Sequence, residues 1–93
     1  MRITDRAAAF IDEMRSQQHL PEHFGVRLFA GARLNGQGGV QIRFSPRPLA
    51  GDEVSEGQGT RLFVAPEISG ALDDCVLDVE GEPAAARLVI REE

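Results

Sequence analysis

The sequence has no tryptophan, no tyrosine and no lysine, and only one cysteine, Cys75. A lone cysteine excludes an intramolecular disulfide and any zinc or cluster site built only from the thiolates of one chain. Without Trp or Tyr, the core must be filled by Val, Leu, Ile, Ala and the five Phe. No apolar run reaches the length of a membrane-crossing helix, and the first residues are a short polar lead into a helical pattern rather than a charged segment ahead of an apolar stretch. A soluble, cytoplasmic protein with no membrane partner is expected.

Acidic residues are missing from one long stretch. The formal charge is −5, yet no Asp or Glu lies between His23 and Gly51. The net acidity argues against nucleic-acid binding. The acid-free stretch carries Arg27, Arg33, Arg43 and Arg47, which are candidate contacts for an acidic protein partner. Solvation of exposed strand faces is the simpler use of the same side chains.

What is present is one domain, residues 1–93, long enough for a single core and too short for two. It is organised around Gly25 to Phe44. Val26, Leu28 and Ala30 alternate with Arg27, Phe29 and Gly31, and Val40, Ile42 and Phe44 alternate with Gln41, Arg43 and Ser45. A period of two predicts two strands. Asn35, Gly36, Gln37, Gly38 and Gly39 connect them in a loop that tolerates positive φ, either a plain turn or a place where backbone approaches a ligand.

Upstream, Thr4 is a good N-cap and Ala7, Phe10, Ile11 and Met14 recur at helical spacing, which predicts a helix from about Asp5 to Gln18 ended by Pro21. Downstream, Pro46 and Pro48 end the second strand. Short strands are expected at Glu53–Ser55, Thr60–Val64, Val76–Val79 and Ala86–Arg91, with a short helix from Pro66 to about Leu72. Phe29 and Phe63 fall on the face opposite the other core residues, so both faces of these strands should be partly covered.

The chemistry-bearing residues are sparse. Gly36-x-Gly38-Gly39 is too short for a dinucleotide fingerprint and leads into a strand, so no helix N-terminus is offered to a pyrophosphate. His19 and His23 have the spacing of a helical metal pair, but Pro21 between them breaks the helix such a pair needs. Cys75 follows Asp73 and Asp74, neighbours that oppose thiolate formation, and reads as a small buried or half-buried residue at a strand start. The paired carboxylates, such as Asp12-Glu13 and Asp52-Glu53, read as solvated faces and turns, so no enzyme is expected.

Several local patterns agree in order and spacing with one family. Ile3-Thr4-Asp5-x-Ala7-Ala8 opens the first helix and Gly25-Val26-Arg27-Leu28 opens a strand. Asp52-x-Val54 leads through Gly59 to Leu62-Phe63-Val64, and Leu72-Asp73-Asp74 precedes Leu77-Asp78. Across almost the whole chain these resemble the HesB-like domain of A-type iron–sulfur carriers, with Asp74 where that family has glycine. The resemblance implies an α+β, mainly β fold: mixed sheets packed as a small sandwich or flattened barrel, plus two helices. Carriers of this type hold iron or an iron–sulfur cluster with three cysteines, one in the glycine loop and two in a C-terminal Cys-Gly-Cys, shared across a dimer or tetramer. Here Asn35 or Gln37 stands at the loop position, depending on where one gap falls. The sequence stops at Glu93 before a Cys-Gly-Cys, and Cys75 falls at a non-ligand position. Amides are poor substitutes for thiolates on cluster iron. The resemblance therefore implies a monomeric or homodimeric binding or scaffolding module without a cofactor, with contacts through the Asn35–Gly39 loop and the four arginines. The alternative is a residual iron or iron–sulfur carrier using Cys75 and a histidine across a dimer.

Overall fold

The structure, a computed structural model, describes residues 1–31 and 39–92. The first helix, α1 (Asp5–Gln17), starts where expected. The hydroxyl of Thr4 accepts the N–H of Ala7 at 3.1 Å, and Asp5 lies in the first turn, where its charge opposes the helix dipole. Its apolar stripe buries Ala7, Ala8 and Ile11. The helix ends within one residue of the expected Gln18, ahead of Pro21. His19 adopts φ 57°, its N–H donates to the Ser16 carbonyl and that of Leu20 to the Arg15 carbonyl, both at 3.0 Å. This left-handed turn satisfies the last carbonyls before the proline is reached.

The two strands flanking the glycine-rich segment, β2 (Gly25–Ala30) and β3 (Val40–Ser45), pair antiparallel with Leu28 opposite Ile42 and Arg27 opposite Arg43. After the connection through Asp52, β4 (Glu53–Gly57) and β5 (Thr60–Val64) form a tight hairpin. Its two turn residues, Gln58 and Gly59, have φ of 54° and 79°, the handedness that matches the twist of the flanking strands. Strand β5 also pairs parallel with β2, giving a four-stranded mixed sheet in the order β3-β2-β5-β4.

Helix α2 (Pro66–Ser69) is one turn long, shorter than the stretch to Leu72 expected from sequence, because residues 70–74 continue as turns. Then β6 (Cys75–Glu80) and β7 (Arg87–Glu92) pair antiparallel, and β1 (Arg2–Ile3) adds in parallel to β6, forming a second sheet in the order β1-β6-β7. Two residues are too few to show a period, so β1 was not legible in the sequence.

The two sheets and α1 enclose a core of Ile11, Val26, Leu28, Leu62, Val64, Leu72, Cys75 and Leu77. These are the alternating positions that the strand pattern assigns to the interior. Phe63 points to the opposite face of the four-stranded sheet and is nevertheless fully buried, so that face is covered too, as the sequence suggested. Among the described residues the result is α+β and mainly β, two mixed sheets with two α-helices and one short 3-10 turn.

Candidate functional site

Of the four arginines singled out by sequence, the described residues include three, and they are used differently. Arg27 on β2 is committed inside the molecule: its guanidinium makes two parallel hydrogen bonds to Asp52, Nε to Oδ2 at 2.9 Å and Nη2 to Oδ1 at 3.0 Å. The Asp52 side chain has no exposed surface and also accepts the Leu49 N–H at 2.8 Å. The Arg27 hydrogen bonds hold the Asp52 carboxyl below the usual carboxylate range against the opposing effect of burial, and the same contact raises Arg27 above the ordinary arginine value. This pairing fastens the β3–β4 connection to β2.

Arg43 and Arg47 are exposed, and neither forms an ion pair with an acid among the described residues. The Arg43 guanidinium lies 5.3 Å from the centroid of the Phe29 ring, on the outer face of the sheet, and Arg27 lies at the same distance from that ring. Arg47 follows the end of β3, and its carbonyl accepts the Ser45 hydroxyl at 2.7 Å. Arg33, Asn35, Gly36, Gln37 and Gly38 lie outside the described residues. Gly39 is exposed and its carbonyl accepts the Gly31 N–H at 2.8 Å.

Cys75 is buried at the head of β6, with its sulfur 3.7 Å from the Ala71 carbonyl and its neighbours drawn from the apolar core. His19 and His23 are both exposed, and the His23 ring tilts against Phe24 at 5.1 Å. Among the described residues no three His, Cys, Asp or Glu side chains gather closely enough to hold a metal ion.

A feature that sequence reading did not find is a groove of about 620 Å³ beside β3. Phe10 and Met14 of α1, Leu20 and Phe24 of the linker, and Ile42 and Phe44 of β3 line it. The signal was present as an excess of large apolar residues at positions 20, 24, 42 and 44. Periodicity alone cannot say that such residues stop short of closing over one another.

No family model matches the chain, and no curated protein matches it. Solved structures do. Escherichia coli SufA, involved in biosynthesis of iron–sulfur clusters, is 24% identical with a TM-score of 0.80, covering 98% of this chain and 78% of SufA. A structure of IscA with the [2Fe-2S] cluster is 13% identical with a TM-score of 0.82, covering 98% of this chain and 83% of IscA. A solution NMR structure of an Aquifex aeolicus protein is 18% identical with a TM-score of 0.77, covering 100% of this chain and 91% of that one. At these identities the likeness is one of fold, and on it this chain has the HesB-like fold.

Proposed function

We propose that this domain is a binding module built on the HesB-like fold that does not carry a cluster by way of its own cysteine, and that it engages an acidic protein partner through Arg43 and Arg47. The observation that carries the reading is the position of Cys75. It is the one thiol of the sequence, and it is buried among Ile11, Leu72 and Leu77 rather than presented at the surface. Cluster iron needs thiolates or comparable donors that reach it. A Cys75 ligand would have to leave the core, exposing apolar surface and opening the start of β6. The amides of Asn35 and Gln37 are weak donors for such iron. Exposed His19 and His23 add nitrogen ligands without a convergent third group among the described residues.

The second reading, a residual carrier with ligands shared between subunits, is favoured by the structural likeness to a protein whose structure contains a [2Fe-2S] cluster. The two readings part on one measurement. Purified protein is reconstituted anaerobically with ferrous iron and sulfide, desalted, and assayed for iron, sulfide and visible absorption. A colourless, iron-free product is the expected result. Stoichiometric iron with sulfide-to-iron charge-transfer bands would overturn the binding-module reading and make Cys75→Ser the next variant.

A further inference from the structure

Strand β3 is one edge of the four-stranded sheet, β4 being the other, and the hydrogen-bonding phase of β3 follows from its pairing. The Gly31 N–H donates to the Gly39 carbonyl, so the opposed pairs in the same phase, Phe29 with Gln41, Arg27 with Arg43 and Gly25 with Ser45, are the ones that exchange hydrogen bonds. The intervening residues of β3, Val40, Ile42 and Phe44, point their N–H and C=O groups away from β2. An independent contact agrees: the Leu28 carbonyl, opposite Ile42, accepts from Ala65 rather than from β3. Among the described residues no strand pairs with this outer edge.

The two faces of that edge differ in chemistry. On the inner face, Ile42 and Phe44 border the apolar groove closed on its far side by Phe10 and Met14. On the outer face stands the exposed guanidinium of Arg43, with Arg47 beyond the strand end, neither paired to an acid among the described residues. A strand added beside β3 alternates its side chains between those two faces. From this we infer that the partner binds by β-strand addition along Val40–Phe44, as an extended segment that alternates apolar residues, seated in the groove, with acidic residues facing Arg43 and Arg47. The inference rests on the binding-module reading and deepens it. A second copy of this chain fits less well. Antiparallel self-pairing that keeps the apolar faces together sets the two Arg43 side chains opposite or diagonal to each other, and like charges across a ladder are unfavourable.

The test uses the whole domain, isotope-labelled for NMR, and a short capped peptide of alternating glutamate and valine, with a lysine-for-glutamate peptide as the control. Expected are binding of the glutamate peptide only, weakening as salt is raised, and new exchange protection at the Val40, Ile42 and Phe44 amides. Val40→Pro removes an outward donor while leaving the ladder to β2 intact, and should weaken binding about three- to tenfold. Arg43→Gln should also weaken it and flatten the salt dependence. Because Arg43 is exposed, that variant keeps the test valid if Val40→Pro fails to fold. Absence of binding, equal binding of the lysine peptide, protection on β4 or β7 instead, or indifference to both substitutions would overturn the inference. So would protection at Val40, Ile42 and Phe44 that grows with protein concentration in the absence of peptide, since the occupant would then be a second copy. A colourless reconstitution with no peptide binding defeats strand addition alone, whereas a cluster-bearing product defeats the reading beneath it.

Discussion

Arg27 and Asp52, 25 positions apart in the chain, meet in a two-point ion pair in which the carboxylate is wholly buried. The two residues belong to the sequence patterns Gly-Val-Arg-Leu and Asp-x-Val that carried the family resemblance, so those patterns mark a structural clamp. A planar guanidinium suits a carboxylate in this geometry, and a lysine could not reproduce both bonds. Removing one partner leaves the other charge buried and unpaired. Arg27→Gln should therefore destabilise the domain by about 3 kcal/mol, and Asp52→Asn by a similar amount, while the double change should cost less than the sum. Chemical denaturation of the two single variants and the double variant measures this coupling. Additive losses would show that the pair contributes no more than its separate packing.

The same pair sets a pH dependence whose sign is fixed. The Asp52 carboxyl is held below the ordinary carboxylate range by Arg27, and those of Asp78 and Glu80 are lowered chiefly by hydrogen bonds from Thr4 and Arg87, respectively. The unfolded chain therefore takes up protons before the folded one does. The stability these groups contribute is complete above the unfolded-state values near pH 4 and is lost as pH falls through the depressed folded-state values. Thermal melts should give a nearly flat Tm from pH 7 to about pH 5 and a decline below about pH 4, with a shallower decline in Asp52→Asn. A melting temperature that rose on acidification would contradict this assignment.

How far the sequence reveals the fold depends on the range of the interaction. The Thr4 cap and the alternation in β2 and β3 were legible because each is a local pattern of spacing. The use of Arg27 was not, because its partner lies across a long connection and nothing in the spacing separates a clamp from a solvated arginine. The end of α1 near Gln18 was legible to within a residue, but the device that ends it was not. Pro21 is a strong stop signal, but the left-handed conformation of His19 acts first, and a non-glycine residue in that conformation is uncommon. Cys75 was read correctly as a buried residue at a strand start, whereas the groove beside β3 depends on how far apart α1 and the sheet settle, which the chain order does not encode.

Gly25 offers a sharper packing test. A Cβ built on it would lie 2.7 Å from the Phe63 ring and 2.8 Å from the Arg61 carbonyl, so the fully buried ring and the β5 backbone together require glycine at this place. Gly25→Ala should cost about 1–3 kcal/mol through overpacking, despite alanine being the better strand former. Combining it with Phe63→Leu should recover part of the loss if the ring is the obstacle. An unaltered denaturation midpoint in Gly25→Ala would mean that the sheet relaxes freely there.

At His19 the expected change is in the opposite direction. Its φ of 57° is one that glycine adopts without the steric penalty carried by a Cβ. The side chain is exposed, so little packing is lost with it. His19→Gly should stabilise the domain by about 0.5–1 kcal/mol, and His19→Val should destabilise it, since a β-branched residue fits the left-handed region poorly. Both are read from denaturation midpoints at neutral pH, and a destabilised glycine variant would show that the histidine ring makes a contact worth more than the backbone strain it imposes.

Cys75 links stability to the proposed function. Its sulfur fills space in the core beside Ile11 and Leu77, so a thiol reagent should label the native protein only as fast as it opens and label the denatured protein at once. Cys75→Ala should lower stability by about 1 kcal/mol through the small void it leaves. Cys75→Ser should cost more, because a hydroxyl is harder to bury than a thiol and the Ala71 carbonyl lies 3.7 Å from the sulfur. On the binding-module reading both variants bind the acidic probe peptide like the parent, since the β3 edge and its arginines are untouched. Rapid labelling of the native thiol would place Cys75 within reach of solvent and restore it as a candidate ligand for a shared cluster.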